Sequence, residues 1–593
     1  RDLAFCLDHV VDADRLAGTE KFADATAETR AAILEEAGKV AADVLAPLNR
    51  AGDQTPARLE NGVVRATPGF ADAYQQLAGG GWVGIAAEEA SGGMGLPLTL
   101  GTAVNEMFAA ANLSLSLCPL LSQGQIEALE AHASDEIKAV YLPKLTSGAW
   151  TGTMNLTEPQ AGSDVGALRS KAEPNGDGSY AVTGQKIYIS WGDHDIADNV
   201  VHLVLARLPD APAGTKGVSL FVVPKRLPDE NGEAGVANSL KVISLEHKMG
   251  LHGSPTCVMS FEGATGWLVG PEGGGMAAMF TMMNNARLGV GVEGLGIAEA
   301  AYQKALGYAL ERAQGRTPDG SGTIVGHADV RRMLLKMKSL TEAARAICLD
   351  TAVSLDMARA APGEAGKRWA ARAAFLTPIA KAFGTDVGNE VAHVGVQVHG
   401  GMGFVEETGA AQFCRDVRVT AIYEGTNGIQ AMDLVGRKLS DGGEVARSMM
   451  AEIRRVASQA RSGDDATLSP LGGELEQAAA TLAGATDWML AQDGFNDRYA
   501  GSADYLRAWA LVLGAAYLLK GALAAEGQEA ARRSALAVYY FGRELPLAAG
   551  HARASEAGAT SLYRLTAQEL AAWTNCAVGM GRRPARPHDR TPE

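Results

Sequence analysis

Cysteine is scarce in this chain and never paired. Its six cysteines, Cys6, Cys118, Cys257, Cys348, Cys414 and Cys576, stand far apart in 593 residues, with no CxxC among them. That speaks against a disulfide framework and fits reduced thiols in a cytoplasmic chain. Long basic runs are missing and the net charge is −15, which argues against nucleic acid as the main partner. In the most apolar late stretch, 505–522, Arg507 and Lys520 leave only 508–519 uncharged between them. That is too short to cross a bilayer and predicts a buried helix. No signal-peptide pattern opens the sequence, so a cytoplasmic location is expected. His247, His252, His393 and His399 lack ligand spacing with cysteines or acids, so no metal site is expected. GxSxG, a Walker loop and a zinc motif are absent as well.

What is present exceeds one ordinary core: 593 residues, 47% of them hydrophobic, call for several domains. Residues 1–150 read as helical, with Ile33, Leu34, Val40, Val44 and Leu45 at helical spacing. From 151 to 272 the pattern changes to β-branched runs separated by turn residues, such as Tyr180–Thr183, Lys186–Ser190 and Val218–Val223. Helical spacing returns over 273–445. A linker is expected over 446–470 and an Ala/Leu-rich helical extension over 471–593. Gly289-Val-Gly-Val-Glu-Gly294 matches G-x-G-x-x-G but lies inside a helical run with no strand before it. It is read as close helix packing, not as a dinucleotide-binding turn.

One tetrad carries chemistry. Tyr423-Glu424-Gly425-Thr426 puts a carboxylate at the end of an apolar run (Val419, Ala421, Ile422). Desolvation makes such a carboxylate hold its proton more tightly, which suits a general base near neutral pH. A lone Glu here would read as a helix N-terminal acid or a solvated surface residue.

The Glu does not stand alone. Met154-Asn-Leu-Thr-Glu-Pro-Gln-Ala-Gly-Ser-Asp164, Lys186-Ile-Tyr-Ile-Ser190, Gln397-Val-His-Gly-Gly-Met-Gly403 and the tetrad follow one another in this order. Together they resemble the acyl-CoA dehydrogenase family of flavoproteins, whose patterns read TEPxAGSD, KxWIT, QxxGGxG and IYEGTxxIQ. The resemblance covers about 30–440. Glu246–Thr256, the missing Phe before Gly315 and the extension look like the family's long subgroup.

The resemblance implies a mainly α fold with a central β domain: a helical domain, a β-barrel, a four-helix bundle and a helical C-terminal domain. It implies FAD, held by Met154, Thr157, Tyr188, Ser190, Arg312, Gln397, Gly400, Gly401 and Thr426. Tyr188 stands where the family has Trp against the flavin face, and Arg312 would reach the pyrophosphate of a neighbouring subunit's FAD. His399 is expected to hydrogen-bond near the flavin. Ser163, Asn284, Arg287 and Arg437, with Lys438 beside it, would contact the substrate; Asn284 replaces the family's Asp.

The implied reaction removes two hydrogens across Cα and Cβ of a short acyl-CoA thioester, with Glu424 as the base. The long-subgroup likeness points to the 3-methylmercaptopropionyl thioether as the acyl group; a short or medium straight chain is the alternative. Electron-transfer flavoprotein is the expected acceptor and a homo-oligomer, a dimer, the expected assembly. The rival readings are an oxidase that uses dioxygen and a non-catalytic CoA-binding scaffold, and the presence of Glu424 argues against the scaffold.

Overall fold

The structure, a computed structural model, describes residues 1–573. Cys576 and the end of the expected extension, 574–593, lie outside the described residues. The N-terminal part holds α1 (Asp2–Phe5), α2 (Asp14–Ala17), α3 (Ala27–Val40), α4 (Ala46–Gln54), α5 (Phe70–Gly79), α6 (Leu98–His132) and α7 (Asp135–Thr146). Thr26 caps α3, its hydroxyl accepting the Thr29 N–H at 3.2 Å. One expectation is corrected here: this region is not wholly helical. A hairpin of β1 (Arg58–Glu60) and β2 (Val63–Arg65) interrupts it. Its turn is Asn61-Gly62, both at positive φ, the pair that a two-residue hairpin turn favours.

α6 is kinked at Asn112 (φ −160, ψ 88). The Asn112 amide donates to the Leu45 carbonyl, and its oxygen accepts the Leu115 N–H at 3.1 Å. The side chain therefore caps the helix where it restarts.

The middle domain is built from β3 (Trp150–Asn155), β4 (Lys171–Pro174), β5 (Tyr180–Ser190), β6 (Asn199–Arg207), β7 (Val218–Pro224), β8 (Arg226–Pro228), β9 (Ala234–Ala237), β10 (Leu240–Leu245) and β11 (Thr256–Val269). β11 pairs with β5, β5 with β4, β4 with β6, β6 with β7, and β7 back with β11. That cycle closes a barrel, with β3 and β10 added at its sides. Its buried strands β6 and β7 are almost continuously apolar, as strands covered on both faces must be.

Three long helices follow: α8 (Gly275–Glu311), α9 (Ala328–Ala360) and α10 (Gly363–His399), then the short α11 (Ala410–Val417) and α12 (Asn427–Asp433). The glycines of the G-x-G-x-x-G run lie inside α8, as the packing reading expects. A Cβ on Gly291 would come within 2.6 Å of the Ala380 carbonyl, and one on Gly294 within 2.4 Å of the Gly384 carbonyl. Only backbone fits at this crossing, so α8 and α10 are drawn together along Gly291, Gly294, Gly384 and Gly388.

The expected linker over 446–470 is also corrected. Most of it is α13 (Glu444–Ser462), whose Ala446, Met449, Met450, Ile453, Ala457 and Ala460 form one buried face. That 3.6-residue period makes it an amphipathic helix. The extension continues with α14 (Ser469–Ala491), α15 (Phe495–Ala524), α16 (Gly527–Arg543), α17 (Leu545–Ser555) and α18 (Ala567–Ala572). It is not a separate body. Trp509 of α15 packs edge-on against Phe375 of α10 at 5.0 Å, and one hydrophobic core runs through the N-terminal helices, the bundle and the extension. α6 and α15 are long and apolar enough to pass a membrane-span test, but 67% and 78% of those windows are buried inside the protein. Both therefore read as core helices, as expected for 505–522.

A closed charge cluster joins the layers. Arg345 of α9 reaches Glu106 of α6 at 2.6 Å and Glu299 of α8 at 2.7 Å, and also pairs with Glu342. Arg533 of α16 reaches Glu342 at 3.0 Å and Asp2 at 2.8 Å, while Lys338 lies 2.7 Å from Glu342.

Candidate active site

Three segments far apart in sequence converge around Glu424. Arg287 and Glu293 come from α8, Lys381 from α10, and Tyr423 and Glu424 from the loop before α12. The α8–α10 glycine contact brings the first two segments together. The loop is then tied to α10: Lys381 Nζ donates to Asn427 Oδ1 at 2.9 Å, and the Asn427 amide donates to Asp386 at 2.7 Å. Thr426 caps α12, its hydroxyl accepting the Ile429 N–H at 3.2 Å. Gln430 donates back to the Glu424 carbonyl at 3.2 Å.

Glu424 has φ 53, the left-handed region that a non-glycine residue rarely adopts. Such backbone costs about 1–3 kcal/mol and persists where surrounding structure over-determines it. Its side chain is half-buried. Desolvation pushes its carboxyl up to about 7, against the pull of Arg287 and Lys381. Burial in turn draws Lys381 down to about 8, and it lowers Arg287, whose side chain is buried with Nε unpartnered. Among the described residues neither cation forms an ion pair. The site thus holds one carboxylate near neutrality with two cations close enough to be felt but not bonded. A group so poised accepts a proton at neutral pH.

Arg287 and Arg437 both lie against the Phe280 ring, each 5.8 Å from its centroid. Arg437 is exposed and paired with Asp433, and Lys438 lies 4.0 Å from the same carboxylate. Asn284 is exposed one helical turn before Arg287.

The barrel carries a second group. Met154 is buried on β3. Two residues, Ile187 and Tyr188, stand opposite the single Val258 of β11, a β-bulge. The bulge leaves Tyr188 at φ 61 and 51% exposed. Thr157 lies alongside, its carbonyl accepting the Ile187 N–H at 2.9 Å. Glu158 and Lys186 lock the two motifs together with a buried 2.8 Å pair. Burial would raise Glu158, but Lys186 and three donors from Arg169 and Ser170 hold it down to about 2. The hydroxyls of Thr157 and Ser190 make no hydrogen bond among the described residues. Ser163 is exposed on the same loop.

A third group lies elsewhere. Gln397, Gly400 and Gly401 are exposed at the C-terminal end of α10, roughly 24 Å along the helix from Lys381 at 1.5 Å per residue. Arg312, at the end of α8, shares that end of the helix pair, because Tyr308 stacks on His399 at 4.6 Å. A Cβ at Gly400 or Gly401 would meet nothing within 4 Å, so this backbone faces open space. The His399 ring is buried, shares a hydrogen bond with the Gly395 carbonyl through Nδ1 at 2.7 Å, and stacks on Tyr308. It serves the helix pair.

The sequence reading missed Glu293 and Lys381. Glu293 did carry a signal: it is the one charged residue in Leu288–Ile297, a run otherwise of glycine and aliphatic residues.

The sequence comparisons agree with this architecture along nearly its whole length. The acyl-CoA dehydrogenase N-terminal, middle and C-terminal domains match residues 26–149, 153–264 and 273–439, and the acetyl-CoA dehydrogenase C-terminal-like domain matches 449–566. The chain belongs to the acyl-CoA dehydrogenase family, FAD-dependent oxidoreductases of acyl-CoA thioesters. It is 47% identical to 3-methylmercaptopropionyl-CoA dehydrogenase of Ruegeria pomeroyi over 85% of this chain and 87% of that protein. It is 37% identical to a butyryl-CoA dehydrogenase of Syntrophomonas wolfei over 76% and 77%. Among solved structures, an acyl-CoA dehydrogenase of Bacillus anthracis complexed with FAD aligns with a TM-score of 0.73 at 21% identity, covering 89% of this chain and 87% of that one.

Proposed function

We propose that this chain oxidises 3-methylmercaptopropionyl-CoA to 3-methylthioacryloyl-CoA, with Glu424 as the base that takes the α-proton. The observation that carries the reading is the left-handed, desolvated Glu424, pushed up to about 7 beside two unpaired cations. The choice of acyl group rests on the 47% identity over most of both chains. The straight-chain alternative is favoured by the likeness to a butyryl-CoA dehydrogenase.

The residues present fit FAD. Two hydroxyls without partners among the described residues, Thr157 and Ser190, flank an exposed aromatic residue, Tyr188, and open glycine backbone at 400–401 permits close approach. We assign Met154, Thr157, Tyr188, Ser190 and Thr426 to the flavin-ring side. Gln397, Gly400, Gly401 and Arg312 go to the adenosine diphosphate side. Their place far along α10 suits a second copy's cofactor, hence a homodimer. FAD, when bound, supplies the acceptor for the β-hydride. The chain's own residues do the rest. The Glu424 carboxylate takes the α-proton, and its backbone N–H donates to the thioester carbonyl, where charge develops. Arg287, with Asn284, Ser163 and Arg437 nearer the solvent, receives the anionic CoA portion. Electron-transfer flavoprotein is the proposed acceptor and the cytoplasm the proposed location; the described cysteines are all free thiols, in keeping with a reducing compartment.

The test is anaerobic flavin bleaching of the purified holoenzyme with a panel of acyl-CoAs. The thioether substrate is expected to give the highest kcat/KM. A higher value for butyryl-CoA overturns the substrate assignment, and rapid oxygen uptake without an added acceptor overturns the dehydrogenase assignment in favour of an oxidase.

A further inference from the structure

Glu293 is a buried carboxyl that the reaction does not use directly. It is 2% exposed, it lies in the glycine-rich crossing of α8 and α10, and its Oε1 has no partner among the described residues. Putting a carboxyl there costs several kcal/mol unless it is hydrogen-bonded or neutral. Among the described residues its side chain takes part in one hydrogen bond, from the Tyr423 hydroxyl. The charged groups facing it are Glu424 from the base loop and Lys381 from α10. Burial keeps Glu293 protonated up to about 8, so at neutral pH it meets Tyr423 as a neutral carboxyl that can both donate and accept.

The loop it touches needs holding. Glu424 and Gly425 are both at positive φ, and Gln430 and the Thr426 cap secure the turn from the α12 side. On the other side stands Tyr423, whose hydroxyl is fixed by Glu293. We propose that Glu293 is a positioning residue: through Tyr423 it pins the left-handed turn that aims the Glu424 carboxylate. The inference rests on the reading of Glu424 as the base.

The holoenzyme variants E293M, E293Q, Y423F, the E293M/Y423F double and E424Q test it by anaerobic flavin reduction at saturating substrate, with KM and flavin content measured alongside. E293M and Y423F are each expected to slow reduction about tenfold, the worth of roughly one hydrogen bond in the transition state, with little change in KM or flavin content. The double variant should be no slower than either single, because both remove the same contact. E293Q, which keeps a hydrogen-bonding partner for Tyr423, should recover most of the loss. A parent-like rate in E293M, or losses that add in the double variant, overturns the proposal. If E293M does not fold, Y423F decides alone: a tenfold loss at constant KM supports the proposal, and a parent-like rate overturns it. E424Q separates the two readings. If E424Q still turns over, the base assignment has failed. If E424Q is inactive while E293M and Y423F are unimpaired, only the positioning role has failed.

Discussion

Two charge clusters share helix α8 and are built on opposite plans. Around Arg345, each carboxylate is met by a cation at bonding distance: Glu106, Glu299 and Glu342 by Arg345, and Glu342 again by Lys338 and Arg533. Glu342 is consequently held far below the usual carboxylate range despite complete burial. Around Glu424 the cations are near but unpaired, and the carboxyls of Glu424 and Glu293 are pushed up to about 7 and about 8. The first plan fixes charge in place and holds three layers together. The second leaves a proton easy to add or remove. Burial alone does not decide which a carboxylate becomes; the cations at bonding distance must outweigh it, as Arg345, Lys338 and Arg533 do at Glu342, while Glu106, met by Arg345, is still raised by its burial.

The contrast can be broken most severely at Glu424. Glu424→Gln should keep the yellow colour and CoA binding while flavin reduction falls by about a thousandfold, within the range of general-base contributions. Stopped-flow absorbance reads this directly. Next comes the closed cluster. Arg345→Met removes the cation shared by three carboxylates and should destabilise the fold by about 3–5 kcal/mol, the usual result of breaking a buried pair on one side. A thermal or denaturant melt measures it, and the fraction still folded should keep its specific activity.

The third effect is a pH shift. Glu424 must be ionised to act, so the rate of flavin reduction should be low below pH 7, rise through about 7 and level off above it. Lys381 favours the ionised form of Glu424, so Lys381→Met should move that rise toward alkaline pH. An unmoved limb would mean that Lys381 does not share the field of the base. The smallest effect is expected at Arg437, an exposed side chain already paired with Asp433. Arg437→Ala should change KM by less than Arg287→Ala does, since exposed pairs are worth only about 0–1 kcal/mol.

Much of this was legible in the sequence for physical reasons. Glu424, the proposed base, stood out because a carboxylate ended an apolar run, and the motif order around it is specific. The glycine run was separable from a dinucleotide turn because no strand preceded it, and the structure puts those glycines at a backbone crossing. The misses share a cause. Glu293 and Tyr423 are 130 residues apart and meet only when α8 and α10 close. α13 was hidden by the polar segment 463–468 at its end, although Ala446 to Ala460 kept helical period. Local pattern fixes what an element is, whereas convergence belongs to the packed molecule.

The reach of Arg533 back to Glu342, across 191 positions, has a consequence for biosynthesis. Translation delivers residues at about 5–20 per second, so Glu342 leaves the ribosome well before the guanidinium that completes its surroundings. Until α15 emerges the apolar flank it will cover stands bare, and until α16 follows the middle of α9 carries an unfinished electrostatic joint. The nascent chain is thus most exposed to chaperones and proteases in its last stretch of synthesis, and a premature stop there would release a polypeptide with its interior open.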